Sequence, residues 1–423
     1  MRHLRGETKG KHARAARAAV DGRMRARDPS RAEEDEVAAL RAEALLSEAC
    51  ERTGLANFGE PSWREGLDVL LDDLARAALS DLGRMVWRGR LLSHAVQRLR
   101  VLDVLARQPE IERQPVPAPV FLVGLPRTGT TALAHLLAQD PATRSLRVWE
   151  SAQPVPPPET ASEHGDPRIE SAAKQLEAMR QLSPRLAAMH EDTPTGPTEN
   201  HDLLGMSFRA FHFAGMSFVP RYVAWWLACD MTPAYRLMKR TLQLLQWRCP
   251  PTRWQLKSPP DSFCLEAILA VFPDARFVMT HRDPAAVLGS VCSLIHTMYE
   301  MTSTPPPAAA IGAAELASWA EAMRRLLAVR ERVGEARFAD VHFHELASAP
   351  LGAIAGAYAR LGLPWTAAAE GAMRAHAAAN PRGKHGEHLY RLEDWGLERK
   401  AVHEAFRSYT ERCCVRLEDP RGG

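Results

Sequence analysis

Two glycines, an arginine and three threonines crowd into "GLPRTGTT", residues 124–131. The frame Gly124-x-x-x-x-Gly129-Thr130-Thr131 matches the phosphate-loop pattern G-x-x-x-x-G-K-[ST], except that Thr130 stands where the lysine belongs. In nucleotide hydrolases and kinases that lysine reaches the outer phosphates, and the next hydroxyl holds magnesium. The amides of such a loop, with the helix N-terminus behind them, bind an anion whatever the side chains are. Here the cation sits upstream, at Arg127, whose planar fork suits a phosphate but has no evident role in arranging a magnesium triphosphate. Thr128, Thr130 and Thr131 add short hydroxyls around the same concavity. Further along, "QLKSP" and "VMTHRDP" put Lys257 and Arg282 at strand ends, with Asp283 one step beyond. No clear acidic magnesium ligand stands at either end. A second cationic strand end implies a ligand with several anionic groups and little need for metal.

These residues need a particular scaffold. "QPVPAP" (Gln114–Pro119) breaks helix and launches "VFLVGL", a continuous apolar run of the kind found in buried parallel strands. The loop follows, then "TALAHLLAQ", with Leu133, Leu136 and Leu137 on one helical face. Strand, glycine loop and helix are the context that a phosphate loop requires. Further strand-like runs are Trp254–Lys257, Ala275–His281 and Arg337–His344, each followed by a helical pattern. Alternation of this kind predicts an α/β fold with a central parallel sheet and right-handed crossovers.

The rest divides by pattern. Residues 1–31 are rich in Arg, Ala and Gly and low in aromatics, which predicts a disordered basic tail. Residues 32–114 carry apolar residues at helical spacing, as in "LDVLLDDLARAAL", and predict a helical extension of three or four helices. Residues 115–416 then form the α/β domain, with a helical insertion at about 154–250 and a tail at 417–423. The insertion is rich in Trp, Phe and Met, which predicts core for an extra helical layer, compatible with a lid over an apolar acceptor pocket. Charged residues at 25 % and apolar residues at 46 % fit a globular protein, and a formal charge of +3 makes no case for nucleic acid. Seven scattered cysteines without a C-x-x-C argue against a disulfide framework or zinc cage and fit a reducing cytosol. No stretch reaches the roughly 18 apolar residues of a membrane helix, and no apolar core follows the basic N-terminus as in a signal peptide. A cytoplasmic location follows as the expectation, with homo-oligomerisation left open.

The chain resembles the sulfotransferases that use 3′-phosphoadenosine-5′-phosphosulfate (PAPS), of the bacterial type with a P-loop-like three-layer fold. In that superfamily the phosphosulfate loop reads P-[KR]-[ST]-G-T-T, and Pro126-Arg127-Thr128-Gly129-Thr130-Thr131 matches every position. The 3′-phosphate motif is an arginine closing a strand and a serine eight residues later, as are Arg282 and Ser290 in "HRDPAAVLGSVCSL". "RWQLKSPPDSFCLEAILAVFPDARFVMTHRDP" and "NPRGKHGEHLYRLEDWGL" carry the likeness further, from about Gly54 to Tyr409. The resemblance implies donor contacts from the loop (Arg127, Thr128, Gly129, Thr130, Thr131), from Arg282 and Ser290, and from a basic segment at Arg382, Gly383 and Lys384. It implies direct in-line transfer of the sulfuryl group to a hydroxyl, less readily an amine, of a small-molecule or lipid-like acceptor. The product would be adenosine 3′,5′-bisphosphate (PAP), with no metal required. A kinase or hydrolase, and a silent nucleotide-binding protein, remain the rival classes.

Transfer also needs charge neutralisation at the leaving oxygen and a base for the acceptor proton. The resemblance gives neutralisation to Arg127 and Lys257. Its bacterial relatives commonly carry a base histidine in K-S-P-x-H, where this chain has Asp261. Glu150 in "RVWES" matches the place of the base glutamate in protein-tyrosine and heparan-type sulfotransferases within two residues, and is the favoured base. Asp261 is the alternative and His201 an outsider. His344-Glu345-Leu346 replaces the family's YEDL and its tyrosine, a candidate adenine contact.

Overall fold

The structure is a computed structural model, described for residues 40–189, 192–380 and 391–418. Five strands form one sheet: β1 (Val120–Gly124), β2 (Thr143–Ser145), β3 (Arg253–Lys257), β4 (Arg276–His281) and β5 (Phe338–His342). Their order is β2-β3-β1-β4-β5 and every pairing is parallel. Four strands coincide with the apolar runs in the sequence. The fifth, β2, is three residues long, "TRS", and carries no apolar signal, because as an edge strand it needs only its backbone bonds to β3.

Both faces of the sheet are buried, which explains the unbroken apolar runs. Side chains alternate between two cores. Val120, Leu122, Val278, Ala339 and Val341 pack with Leu133, Leu137 and Ile354 on one face. Phe121, Val123, Leu256, Phe277, Met279 and Phe338 face the other way, into a larger core. That larger core also takes Trp87, Leu91 and Leu99 from the helix Asp81–Arg107 and Phe208, Phe213, Trp226 and Met238 from the insertion. Most of the insertion's large side chains are thus core, as its composition implied.

The N-terminal helices Ala42–Thr53, Trp63–Leu74 and Asp81–Arg107 lie against this core. Residues 78–83 are stitched to the C-terminal end of helix Pro284–Thr302. Ser80 N donates to Thr302 O at 3.0 Å and Thr304 N donates to Ala78 O at 2.9 Å. Gly83 lies so close that a Cβ there would stand 1.7 Å from Thr302 O. Backbone cannot yield as a side chain does, so Gly83→Ala should cost about 3 kcal/mol of stability, measured by denaturant unfolding.

Candidate active site

β1 ends where the chain must turn sharply upward into the helix Thr130–Leu137. Gly124 has φ 121°, and a Cβ there would lie 2.5 Å from Thr280 O on β4. Gly129 caps the following helix at φ 88°. Between them Arg127 holds φ 60°, a left-handed conformation that an arginine adopts only when its surroundings impose it. Three positive φ angles within six residues curl the loop around a concavity, the geometry that exposes successive amides to an anion.

The loop threonines divide their work. Thr128 is fully buried, donating its hydroxyl to Leu125 O at 2.7 Å and sharing a 2.6 Å hydrogen bond with Thr280 Oγ1. Its hydroxyl therefore braces the loop from within, in contrast to the expected hydroxyl lining, and only its backbone remains for a ligand. Thr130 is buried in the first turn of the helix, while Thr131 is half-buried and meets Lys257 Nζ at 3.4 Å.

The two expected anion sites touch. Arg127 Nε donates to Ser290 Oγ at 3.1 Å, and Arg282 Nη1 donates to the Arg127 carbonyl at 3.3 Å. Arg282 lies over the Phe343 ring at 4.1 Å. Its Nε and Nη2 edge is taken side-on by Glu418, at 2.7 and 3.1 Å. Beside it Asp283 is fully buried and holds the C-terminal region in place. It caps helix Pro284–Thr302 through Ala285 N at 2.9 Å, and it receives Arg399 at 3.1 Å, His403 at 2.8 Å and Glu418 N at 2.9 Å. Arg382, Gly383 and Lys384, expected as donor contacts, lie outside the described residues.

Lys257 closes β3 with its ammonium 3 % exposed, and its partner is one that motif reading passed over. Glu199 Oε1 stands 2.9 Å from Lys257 Nζ, with 24 % of its side chain exposed. Its delivery there is local. The segment from Pro194 runs beside the helix Val148–Ala152, taking bonds from Trp149 N to Pro194 O and from Val148 N to Gly196 O. Thr198 N then donates to Leu146 O at 2.8 Å, and a bridge joins Glu199 to Lys257. The one sequence hint was a carboxylate in the polar turn "GPTEN", without periodicity or spacing to set it apart.

The three base candidates from the sequence are engaged with other partners. Glu150 is fully buried and accepts from Arg144 Nη2 at 2.5 Å and Arg147 Nη2 at 2.6 Å, closing a capping box on its own helix. Its carboxylate is committed to two guanidiniums and no contact joins it to Lys257. His201 stacks on His212 at 4.3 Å within a buried group that includes His94, Arg90 and Asp202. Burial holds His94 down to about 3 and His212 well below the usual histidine range, so both are neutral packing groups. Asp261 is fully buried, with both oxygens engaged: Tyr235 donates at 2.6 Å and Asn200 at 2.8 Å. Burial, with a smaller contribution from Glu199, pushes its carboxyl up to about 7. Among the described residues no group of three His, Cys, Asp or Glu side chains could hold a metal ion.

The Sulfotransferase family matches residues 119–367, more than half of the chain. The chain belongs to the sulfotransferase family. A sulfotransferase of Mycobacterium avium superposes with a TM-score of 0.83 at 31 % identity, covering 89 % of this chain and 97 % of that one. A second, from Mycobacterium tuberculosis, gives 0.79 at 32 % identity over 87 % and 98 %. The omega-hydroxy-beta-dihydromenaquinone-9 sulfotransferases of Mycobacterium bovis and Mycobacterium tuberculosis are 27 % identical over 251 residues. That match spans 58 % of this chain and 63 % of the length of those curated relatives. No described helix is long and apolar enough to cross a membrane.

The buried Asp261 gives a pH signature. Its carboxyl keeps its proton in the folded chain well above the ordinary carboxylate range, so between about pH 4 and 7 the folded state binds more protons than the unfolded one. Stability from this group is present below pH 4 and is lost as pH rises toward 7. In Asp261→Asn a flip of the Asn200 amide can pair Asn200 Oδ1, a buried oxygen without a partner. The variant should therefore fold and show a flatter melting temperature between pH 5 and 8 than the parent, measured by calorimetry.

Proposed function

We propose that the protein transfers the sulfuryl group of PAPS to the hydroxyl of a lipid-like or small-molecule acceptor, with Glu199 as general base. The observation that carries this is the convergence of Thr131, Lys257 and Glu199 at the mouth of the phosphate loop, 3.4 and 2.9 Å apart in sequence of contact. The loop fits a 5′-phosphosulfate because its amides and Arg127 gather at one concavity. Arg282 and Ser290 fit a second phosphate because both already touch Arg127. The donor supplies an activated sulfuryl group, and the chain's residues do the rest.

In this reading Glu199 accepts the proton as the acceptor oxygen bonds to sulfur. Lys257 and Arg127 face the bridging oxygen as its bond to sulfur breaks and charge collects on the departing 5′-phosphate. Lys257 also holds Glu199 beside the loop before transfer, at 2.9 Å. A lipid-like acceptor accords with the menaquinone-derived substrate in the names of the curated relatives.

Two experiments test it. PAP should raise the melting temperature to the same extent with and without magnesium; stabilisation by magnesium-ATP alone would sink the donor assignment. Glu199→Gln should lower kcat by about 100-fold to 10,000-fold with PAP affinity little changed, whereas full activity would remove Glu199 from the chemistry. Glu150→Gln separates the two glutamates. It leaves a buried pair of arginines short of a charge and should cost about 3 kcal/mol in denaturant unfolding, and the folded fraction should keep its turnover.

A further inference from the structure

Glu418 is chemically out of place on Arg282. The arginine edge that a phosphate would use, Nε with Nη2, holds both oxygens of this carboxylate at 2.7 and 3.1 Å. Its Nη1 is on the Arg127 carbonyl and Phe343 lies against the guanidinium face. A second anion cannot share that edge with the first. We infer that Glu418 is a tethered competitor of the donor's 3′-phosphate, occupying Arg282 until the nucleotide displaces it. The inference rests on the PAPS reading of the site.

The tether and the competing group are held separately. Glu418 N donates to the buried Asp283 at 2.9 Å, and Arg399 Nη1 donates to Glu418 O at 3.1 Å. Both backbone bonds survive if the side chain rotates away. That side chain is 30 % exposed, with solvent to rotate into. A phosphate dianion brings more charge and a third oxygen to Arg282, with the Ser290 hydroxyl beside Arg127 as a further donor. The nucleotide therefore wins at saturation, but against a carboxylate at high effective concentration. The same competition acts on the product: each time PAP loosens at its 3′ end, Glu418 re-occupies the edge and hastens release, a step that limits many transferases. A nucleotide without a 3′-phosphate meets no such competitor.

Calorimetric titration with PAP and with adenosine 5′-monophosphate tests this. Glu418→Gln should tighten PAP binding by about threefold to tenfold, the strength of a partly exposed bidentate ion pair, and leave the monophosphate unchanged. A chain ended after Arg416 should show the same selective gain, which guards against a local folding defect in the point variant. Unchanged PAP affinity in both variants, or equal gains for both nucleotides, overturns the inference. If the parent and both variants bind the two nucleotides with equal affinity, the 3′-phosphate site itself is absent and the donor reading fails with it.

Discussion

The structure depends on the close approach of two backbones, β1 and β4, at the point where β1 ends. Gly124 pairs with Thr280 in register, and any side chain at 124 would collide with the Thr280 carbonyl. That approach lets Thr128 and Thr280 share a buried hydrogen bond, which ties the loop to the neighbouring strand. Arg282 lies two residues beyond Thr280, so the loop and Arg282 are held by the same strand. Arg127 can then keep its left-handed backbone, because the strain it stores is offset by bonds on both sides.

Charge placement follows a consistent rule across the site. Each buried carboxylate that is fully enclosed has a bracing role: Glu150 between two arginines, Asp261 under a tyrosine and an asparagine, Asp283 beneath the C-terminal helix Arg399–Ala405. The partly exposed carboxylates Glu199 and Glu418 are those that rest on Lys257 and Arg282. Desolvation explains the division. A carboxylate enclosed on all sides needs its protein partners in place, whereas a partly wetted one can turn to water instead.

Much of this was legible in the sequence and some was not, for physical reasons. The four apolar strands, the loop and the cationic strand ends are encoded locally: a continuous apolar run, two glycines at forced φ, a charge at a strand end. β2 escaped notice because an edge strand of three residues is specified by its neighbour's backbone. The pairing of Glu199 with Lys257 escaped notice for a related reason. A motif records which residue stands after a helix, but the contact between Glu199 and Lys257 joins positions 58 apart and is set by how the 194–199 segment runs beside Leu146 and Trp149. Asp261 drew attention through the histidine it replaces, and only packing reveals that both of its oxygens are occupied.

The anchoring of the C-terminal region on Asp283 bears on how the molecule is made. Asp283 leaves the ribosome 116 residues ahead of Arg399 and 120 ahead of His403, the two cations that later neutralise it. Until they arrive, Asp283 has the cap of its own helix, through Ala285 N, as its local partner. The residues that neutralise the end of β4 are thus made well after the strand itself.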